Sequence, residues 1–269
     1  VTVNEDAGTM TFTVSLSHAT TAPVSFSYAT SNGSNPGDAS AADYTATSGS
    51  GAIATNLTTA TFTVAISDDF VQEGDESFNV TLSGLSANVA ISGNTLTGTG
   101  TITDAGSAAP TETLTAADTV YAVLSGPATV GEGATTSNYT VTLVNAAGAP
   151  VTVASATNVT VVFANGTAEA GDYVATPQTL TILSGASSAT FTVASNEDAD
   201  FTDETFVASI DSVQDTGQFE AINTTTGTAG LLPSVTTTIS DNDVPPTISI
   251  DNVTVNEDAG TMTFTVSLS

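Results

Sequence analysis

Twelve residues, Ser67–Phe78 (SDDFVQEGDESF), hold the densest chemistry in the chain: Asp68, Asp69, Glu73, Asp75 and Glu76 fall within nine positions. Carboxylates this close repel, by about 4 kcal/mol for two unit charges about 4 Å apart at an effective dielectric of about 20. Such a cluster either splays into water or gathers a counter-ion. No side chain of the same molecule offers one readily: Lys and Arg are absent against 28 Asp and Glu, and His18 is the one remaining cationic side chain. Neutralisation is left to protonation, a partner or a metal. At neutral pH the hard dication Ca²⁺ is the natural candidate, because it takes about six to eight oxygen ligands in a flexible shell. A solvated acidic turn is the competing reading of this loop, and for Asp43 and Asp172 it is an Asx-type turn before Tyr44 and Tyr173.

The missing positive charge excludes whole classes of function. The formal charge of −28 arises with only 10% charged residues, so the surface is otherwise Thr, Ser, Asn and Gly. Nucleic-acid binding requires Lys and Arg to displace counter-ions from phosphate, and anionic membranes are disfavoured for the same reason. With no cysteine, neither a disulfide, a thiol nucleophile nor a thiolate metal site exists. Paired carboxylates also hydrolyse glycosides, but Trp is absent and aromatics are 6% of the chain, which leaves no sugar platform. The expectation is a protein that is not an enzyme. The 40% hydrophobic content and a mean hydropathy of +0.19 are enough for real cores and argue against disorder.

The elements that must position these acids are strands. TMTFTVSLS, PVSFSYAT, ATFTVAIS and SFNVTLS alternate apolar and polar residues, as do SNYTVTLV, VTVVFA, TLTILS, ATFTVAS and TFVASI further on. Period two is the mark of half-buried antiparallel strands, and no convincing amphipathic helix interrupts them. The chain also repeats itself. Val1–Ser17 recurs unchanged at Val253–Ser269, an offset of 252 residues, and Asp43-Tyr44 and Asp172-Tyr173 each precede an ATFTV strand by 17 positions. The predicted organisation is a first sandwich over 1–104, lacking its first strand, a small-residue linker over 105–118 and a second sandwich over 119–243. Residues 244–269 would then be the opening strands of a further repeat, with 253–269 the copy of 1–17. Glu220–Ser234 reads as a long hairpin loop. The DNDVPPT junction (Asp241–Thr247) reads as stiff and acidic, and the first junction, with Asp104 alone, as looser.

Four ordered motifs, each present twice, carry a family resemblance. They are VNEDAG, AADY, SDDFVQEGDESF and ITD in the first half, and VGEGA, AGDY, NEDADFTDETF and ISDND in the second. The chain resembles the Calx-beta family over nearly its whole length. That resemblance implies an all-β fold of tandem immunoglobulin-like Greek-key β-sandwiches, each binding Ca²⁺ at one end. Carried over by position, it implies ligands at Glu5, Asp43, Asp68, Asp69, Glu73 and Asp104 in the first sandwich. In the second it implies Glu132, Asp172, Asp198, Asp200, Asp241 and Asp243, with Glu197 in reach. Asp75, Glu76, Asp203 and Glu204 stay open between ligand and solvated side chain. The first half ends DAG where the family prefers further Asp. The DNDVPP junction is also similar to a cadherin linker, the alternative at the level of fold.

These features together predict an extracellular, bacterial cell-surface structural protein: a Ca²⁺-stiffened repeat of a surface fibre, adhesin stalk or filament. The expected partners are other copies of the repeat, head to tail, covalently or by strand donation, with no nucleic acid and no membrane insertion. The alternatives are a calcium-sensing regulatory module and a ligand-binding adhesin domain.

Overall fold

The computed structural model describes residues 1–33, 35, 37–91, 96–104 and 119–269. The predicted linker, 105–118, lies outside the described residues. The expectation of an all-β chain holds: among the described residues the helical turns are two short 3-10 segments, Glu5–Ala7 and Glu257–Ala259.

The first sandwich is built from β1 (Thr2–Asn4), β2 (Thr9–Ser15), β3 (Val24–Asn32), β4 (Ser48–Ile53), β5 (Thr59–Ala65), β6 (Glu76–Ser83) and β7 (Thr97–Thr103). One sheet runs β1-β7-β6-β3-β4, with β1 parallel to β7 and the other pairs antiparallel. The facing layer is the pair β2-β5. Alternation explains which side is which: in β2, Met10 and Phe12 are buried while Thr9, Thr11 and Thr13 are exposed. Ring contacts then join the two layers, with Tyr28 of β3 stacked on Phe62 of β5 at 3.9 Å and Phe12 of β2 edge-on to Phe78 of β6 at 5.9 Å.

The second sandwich adds β8 (Thr119–Ser125), β9 (Thr129–Gly131), β10 (Tyr139–Val144), β11 (Thr157–Asn165), β12 (Gln178–Ile182), β13 (Ser188–Phe191), β14 (Glu204–Gln214), β15 (Ala221–Asn223) and β16 (Ser234–Ser240). Its sheet β12-β11-β14-β16-β9 mirrors the five-stranded sheet of the first half. Its other sheet, β13-β10-β8-β15, is wider than β2-β5 because β8 lies against β10 and β15 lies parallel against β8. Here the structure corrects the sequence reading. Glu220–Ser234 is not one hairpin loop: its start forms β15, because β8 presents a free edge for parallel pairing.

The tail forms a small hairpin of β17 (Ile248–Ile250) and β18 (Val266–Leu268). Its apolar residues have no core beneath them; Ile248 is 75% and Leu268 71% exposed.

The two sandwiches touch through the acidic loop that follows β5. Phe70 packs against the core of the second sandwich. Beside it Val71 forms an antiparallel bridge with Phe219, and Gln72 N–H donates to the Gln218 carbonyl at 3.1 Å. The described side of the first junction is therefore clasped rather than loose. The acidic motif carries an aromatic, Phe70, that finds an apolar surface across the boundary.

Candidate metal centres

In each sandwich the acids gather at the sheet ends because neighbouring residues are anchored in the core. Tyr44 is 2% exposed, stacks on Phe78 and donates its hydroxyl hydrogen to Asn32 Oδ1 at 2.8 Å. Tyr173 repeats this with Phe206, at 4.4 Å between rings, and with Asn165 Oδ1 at 2.8 Å. Fixing the tyrosine fixes the aspartate before it. Asp43 Oδ2 accepts from Ser40 N–H at 2.6 Å, and Asp172 Oδ2 accepts from Glu169 N–H. The carbonyls of the same two aspartates accept from Ser67 N–H at 2.9 Å and Asn196 N–H at 2.8 Å, which ties each aspartate to the start of its acidic loop. Glu76 and Glu204 sit two residues before Phe78 and Phe206. In a strand, positions i and i+2 share a face, so the buried ring turns the glutamate toward the inner end of the sandwich.

Four groups of three carboxylates result, each with ligand oxygens within 4.8 Å of one another: Glu5 with Asp104 and Glu220; Asp43 with Glu73 and Glu76; Glu132 with Asp241 and Asp243; and Asp172 with Asp198 and Glu204. Glu5 is 6% and Glu132 8% exposed, and each has one carboxylate oxygen, Oε1 and Oε2 respectively, buried with no hydrogen-bond partner. The other oxygen of Glu132 accepts from Asp198 N–H at 2.6 Å. Asp104, 3% exposed, accepts from Glu73 N–H, which draws the acidic loop of the first sandwich onto the end of β7.

The electrostatics follow from burial and crowding. Burial pushes Glu5 up to about 8; facing Glu220 eases this, while Asp104, Asp69 and Asp68 add to it. Burial and then Asp43 push Glu76 up to about 7, and burial and then Asp172 do the same for Glu204. Glu73 is raised by burial and by Asp43, Asp69 and Asp104. Each of these four glutamates holds a proton more tightly than a free carboxyl because it is buried among like charges. A divalent cation would supply the missing charge.

Of the residues expected from the sequence, Glu5, Asp43, Glu73, Asp104, Glu132, Asp172, Asp198, Asp241 and Asp243 enter these groups. Asp68, Asp69 and Asp200 are exposed and stand outside them. Asp69 Oδ1 caps Val71 N–H at 2.7 Å and Asp200 Oδ1 caps Thr202 N–H at 3.0 Å, so both close turns of the acidic loops. Glu76 and Glu204, left open by the sequence, take part. Glu220 went unpredicted, because it reaches the first sandwich from the second.

The Calx-beta domain family profile matches the chain over residues 1–106 and again over 117–239. The chain belongs to the Calx-beta family. Solved structures similar to it include CBD12 from CALX1.2, at 18% identity and a TM-score of 0.35, covering 79% of this chain and 77% of that one. The CBD12 calcium binding domain of CALX1.1 is similar at 17% identity and a TM-score of 0.36, with the same coverage. The apo-form Calx CBD1 domain is similar at 24% identity and a TM-score of 0.35, over 38% of this chain and 88% of that domain. A comparison with curated proteins gives no match. As a tandem Calx-beta chain, the molecule presents two sandwich ends that each gather two groups of acids. Every side-chain donor in those groups is a carboxylate oxygen, a set suited to a hard cation and unsuited to a soft one.

Proposed function

We propose that this chain is a non-enzymatic, extracellular structural repeat whose sandwich ends bind Ca²⁺ and are stiffened by it. One observation carries the reading. Glu5 and Glu132 are more than nine-tenths buried, each belongs to a group of three carboxylates and buries one oxygen without a hydrogen-bond partner, and the chain contains no Lys or Arg to answer them. Leaving a buried polar atom unpaired costs about 1–3 kcal/mol, more when it is charged. The same cost at corresponding places in two sandwiches is readily understood if an ion offsets it. Glu5, Asp104, Asp43, Glu73 and Glu76 would hold ions in the first sandwich, and Glu132, Asp241, Asp243, Asp172, Asp198 and Glu204 in the second. Asp68, Asp69 and Asp200 complete the expected set from the loop rims.

The units of the repeat are the sandwich 1–104, the linker 105–118, the sandwich 119–243 and the opening strands 244–269. Head-to-tail association with other copies, in a surface fibre, adhesin stalk or filament of a bacterial cell, is supported by the tail. In the second sandwich β8 lies on β10 with Leu124 opposite Val141 and Ala122 opposite Leu143, all four buried. In the tail, Ile250 lies opposite Val266 and Ile248 opposite Leu268, and these partners are the repeats of Val14 and Leu16. The register matches. Beside β2 the first sandwich has an apolar groove of about 680 Å³ lined by Val14, Leu16, Phe26 and Leu82. A strand of the Ile248–Ile250 kind fits it, whether along one polypeptide or donated by a second copy. Among the described residues no helix is long and apolar enough to cross a membrane.

A calcium-sensing module is the second reading, favoured by the clasp between the sandwiches. Titration calorimetry with Ca²⁺ and then Mg²⁺ tests the shared premise. Saturable, Ca²⁺-selective binding that weakens in Glu132→Ala is expected; absence of binding overturns it.

A further inference from the structure

We infer that Glu220 of the second sandwich is a ligand in trans to a cation held by Glu5 and Asp104 of the first, so that one ion ties the two sandwiches together. The inference rests on the cation-binding reading above and adds a residue and a consequence to it.

The two sandwiches themselves make the argument. At the end of the second, Glu132 is met by Asp241 and Asp243, both from the strand end after β16. At the end of the first, Glu5 is met by Asp104, the counterpart of Asp241, but the position matching Asp243 is Gly106. Among the described residues, the first sandwich adds no third carboxylate of its own to this group. Glu220 takes that place, with its oxygen within 4.8 Å of those of Glu5 and Asp104. Glu5, a member of this group, buries Oε1 with no hydrogen-bond partner.

Glu220 is delivered there by a rigid mount. Asp215 closes the preceding turn by accepting Gly217 N–H and Phe219 N–H, each at 3.1 Å. Gly217 stands at φ +81°, a left-handed conformation that a side chain would resist. Gln218 Oε1 accepts from Ala154 N–H at 2.8 Å and Ser155 N–H at 3.1 Å. Phe219 is buried in the second core, and Ala221 begins β15. The acidic loop of the first sandwich is then fixed to this mount on both sides: Gln72 N–H donates to the Gln218 carbonyl, and Glu220 N–H to the Phe70 carbonyl at 3.3 Å. The backbone contact thus forces Glu220 against a cluster of like charge. Once ionised and without a cation, the carboxylates oppose the contact; with a cation they reinforce it.

The test uses the whole chain, which contains no cysteine. Spin labels at Ser50→Cys and Thr192→Cys report the distance between sandwiches, and calorimetry reports Ca²⁺ binding. Glu220→Gln and Glu220→Asp are compared with Glu204→Gln, which alters a group confined to the second sandwich. In the parent chain Ca²⁺ narrows the distance distribution. Glu220→Gln is expected to weaken one site by at least the about tenfold that loss of an outer-shell partner costs, and to leave the distribution broad in Ca²⁺. Glu204→Gln should lose affinity at another site and still narrow. Ca²⁺ binding and narrowing in Glu220→Gln and Glu220→Asp equal to the parent would overturn the assignment of Glu220 alone. No Ca²⁺ binding by the parent would overturn the cation-binding reading and this inference with it.

Discussion

Val71 and Phe219 form an antiparallel bridge between the two sandwiches, and Phe70, one residue earlier, packs on the core of the second. An acidic loop at the end of one sandwich thus carries the apolar contact that docks it on the next. Replacing Phe70 with Ala removes that contact and should cost about 1–2 kcal/mol, less than a fully buried ring. The measurement is calorimetric unfolding. Phe70→Ala is expected to split the transition of the parent into two, one per sandwich; an unchanged single transition would mean the contact contributes nothing.

Glu5 and Glu132 give opposite expectations with and without metal. Each buries an oxygen that nothing satisfies, so Glu5→Gln should melt above the parent in EDTA at pH 8. In saturating Ca²⁺ the order should reverse, because the neutral amide cannot supply the charge an ion requires. Each difference is expected to be about 1–3 kcal/mol. A variant that melts on the same side of the parent in both conditions contradicts the ligand role.

The metal-free protein should lose stability as pH rises. Glu5 holds its proton up to about 8, and Glu76 and Glu204 up to about 7, against the usual 4.5. Between those values the folded chain binds more protons than the unfolded chain. The stability they contribute is therefore complete below about pH 4.5 and is lost through pH 7–8. Denaturant melts in EDTA at pH 5, 6, 7 and 8 check the slope. Ca²⁺ should flatten it and release protons on binding, which titrations in buffers of different ionisation enthalpy detect.

Tyr44 and Tyr173 hold their neighbouring aspartates through one hydroxyl bond each, to Asn32 and Asn165. Tyr44→Phe should cost about 1 kcal/mol of stability and weaken Ca²⁺ binding at the Asp43 group, leaving the Asp172 group unchanged. Equal weakening of both groups would show that the bond does not act locally.

The fold was legible because period-two alternation runs through nearly every strand, and because motifs recur at fixed spacing in both halves. Glu5, Asp43, Glu73 and Asp104 could be read from local motifs. Glu76 and Glu204 were ambiguous until Phe78 and Phe206 proved buried, which fixes the face on which the glutamates lie. Asp68, Asp69 and Asp200 lie exposed outside the four groups, Asp69 and Asp200 capping turns of their loops. Glu220 was hidden for a different reason: it acts across a contact between sandwiches, which no local pattern encodes. The sequence did hold one sign of it, Gly106 standing where the second half has Asp243. β15 was missed because its three residues pair only with the edge that β8 happens to leave open.

The central claim is that ions bound at the sandwich ends hold this acidic chain together. Thermal unfolding of the 269-residue chain in excess EDTA, across a Ca²⁺ series and with Mg²⁺ as control, tests it most directly. The expected result is a saturable, Ca²⁺-selective rise in melting temperature, with each site adding about 2.7 kcal/mol at 100 times its dissociation constant. A melting temperature that is the same in EDTA and in saturating Ca²⁺ would contradict the account, leaving the acidic groups as protonated or solvated clusters.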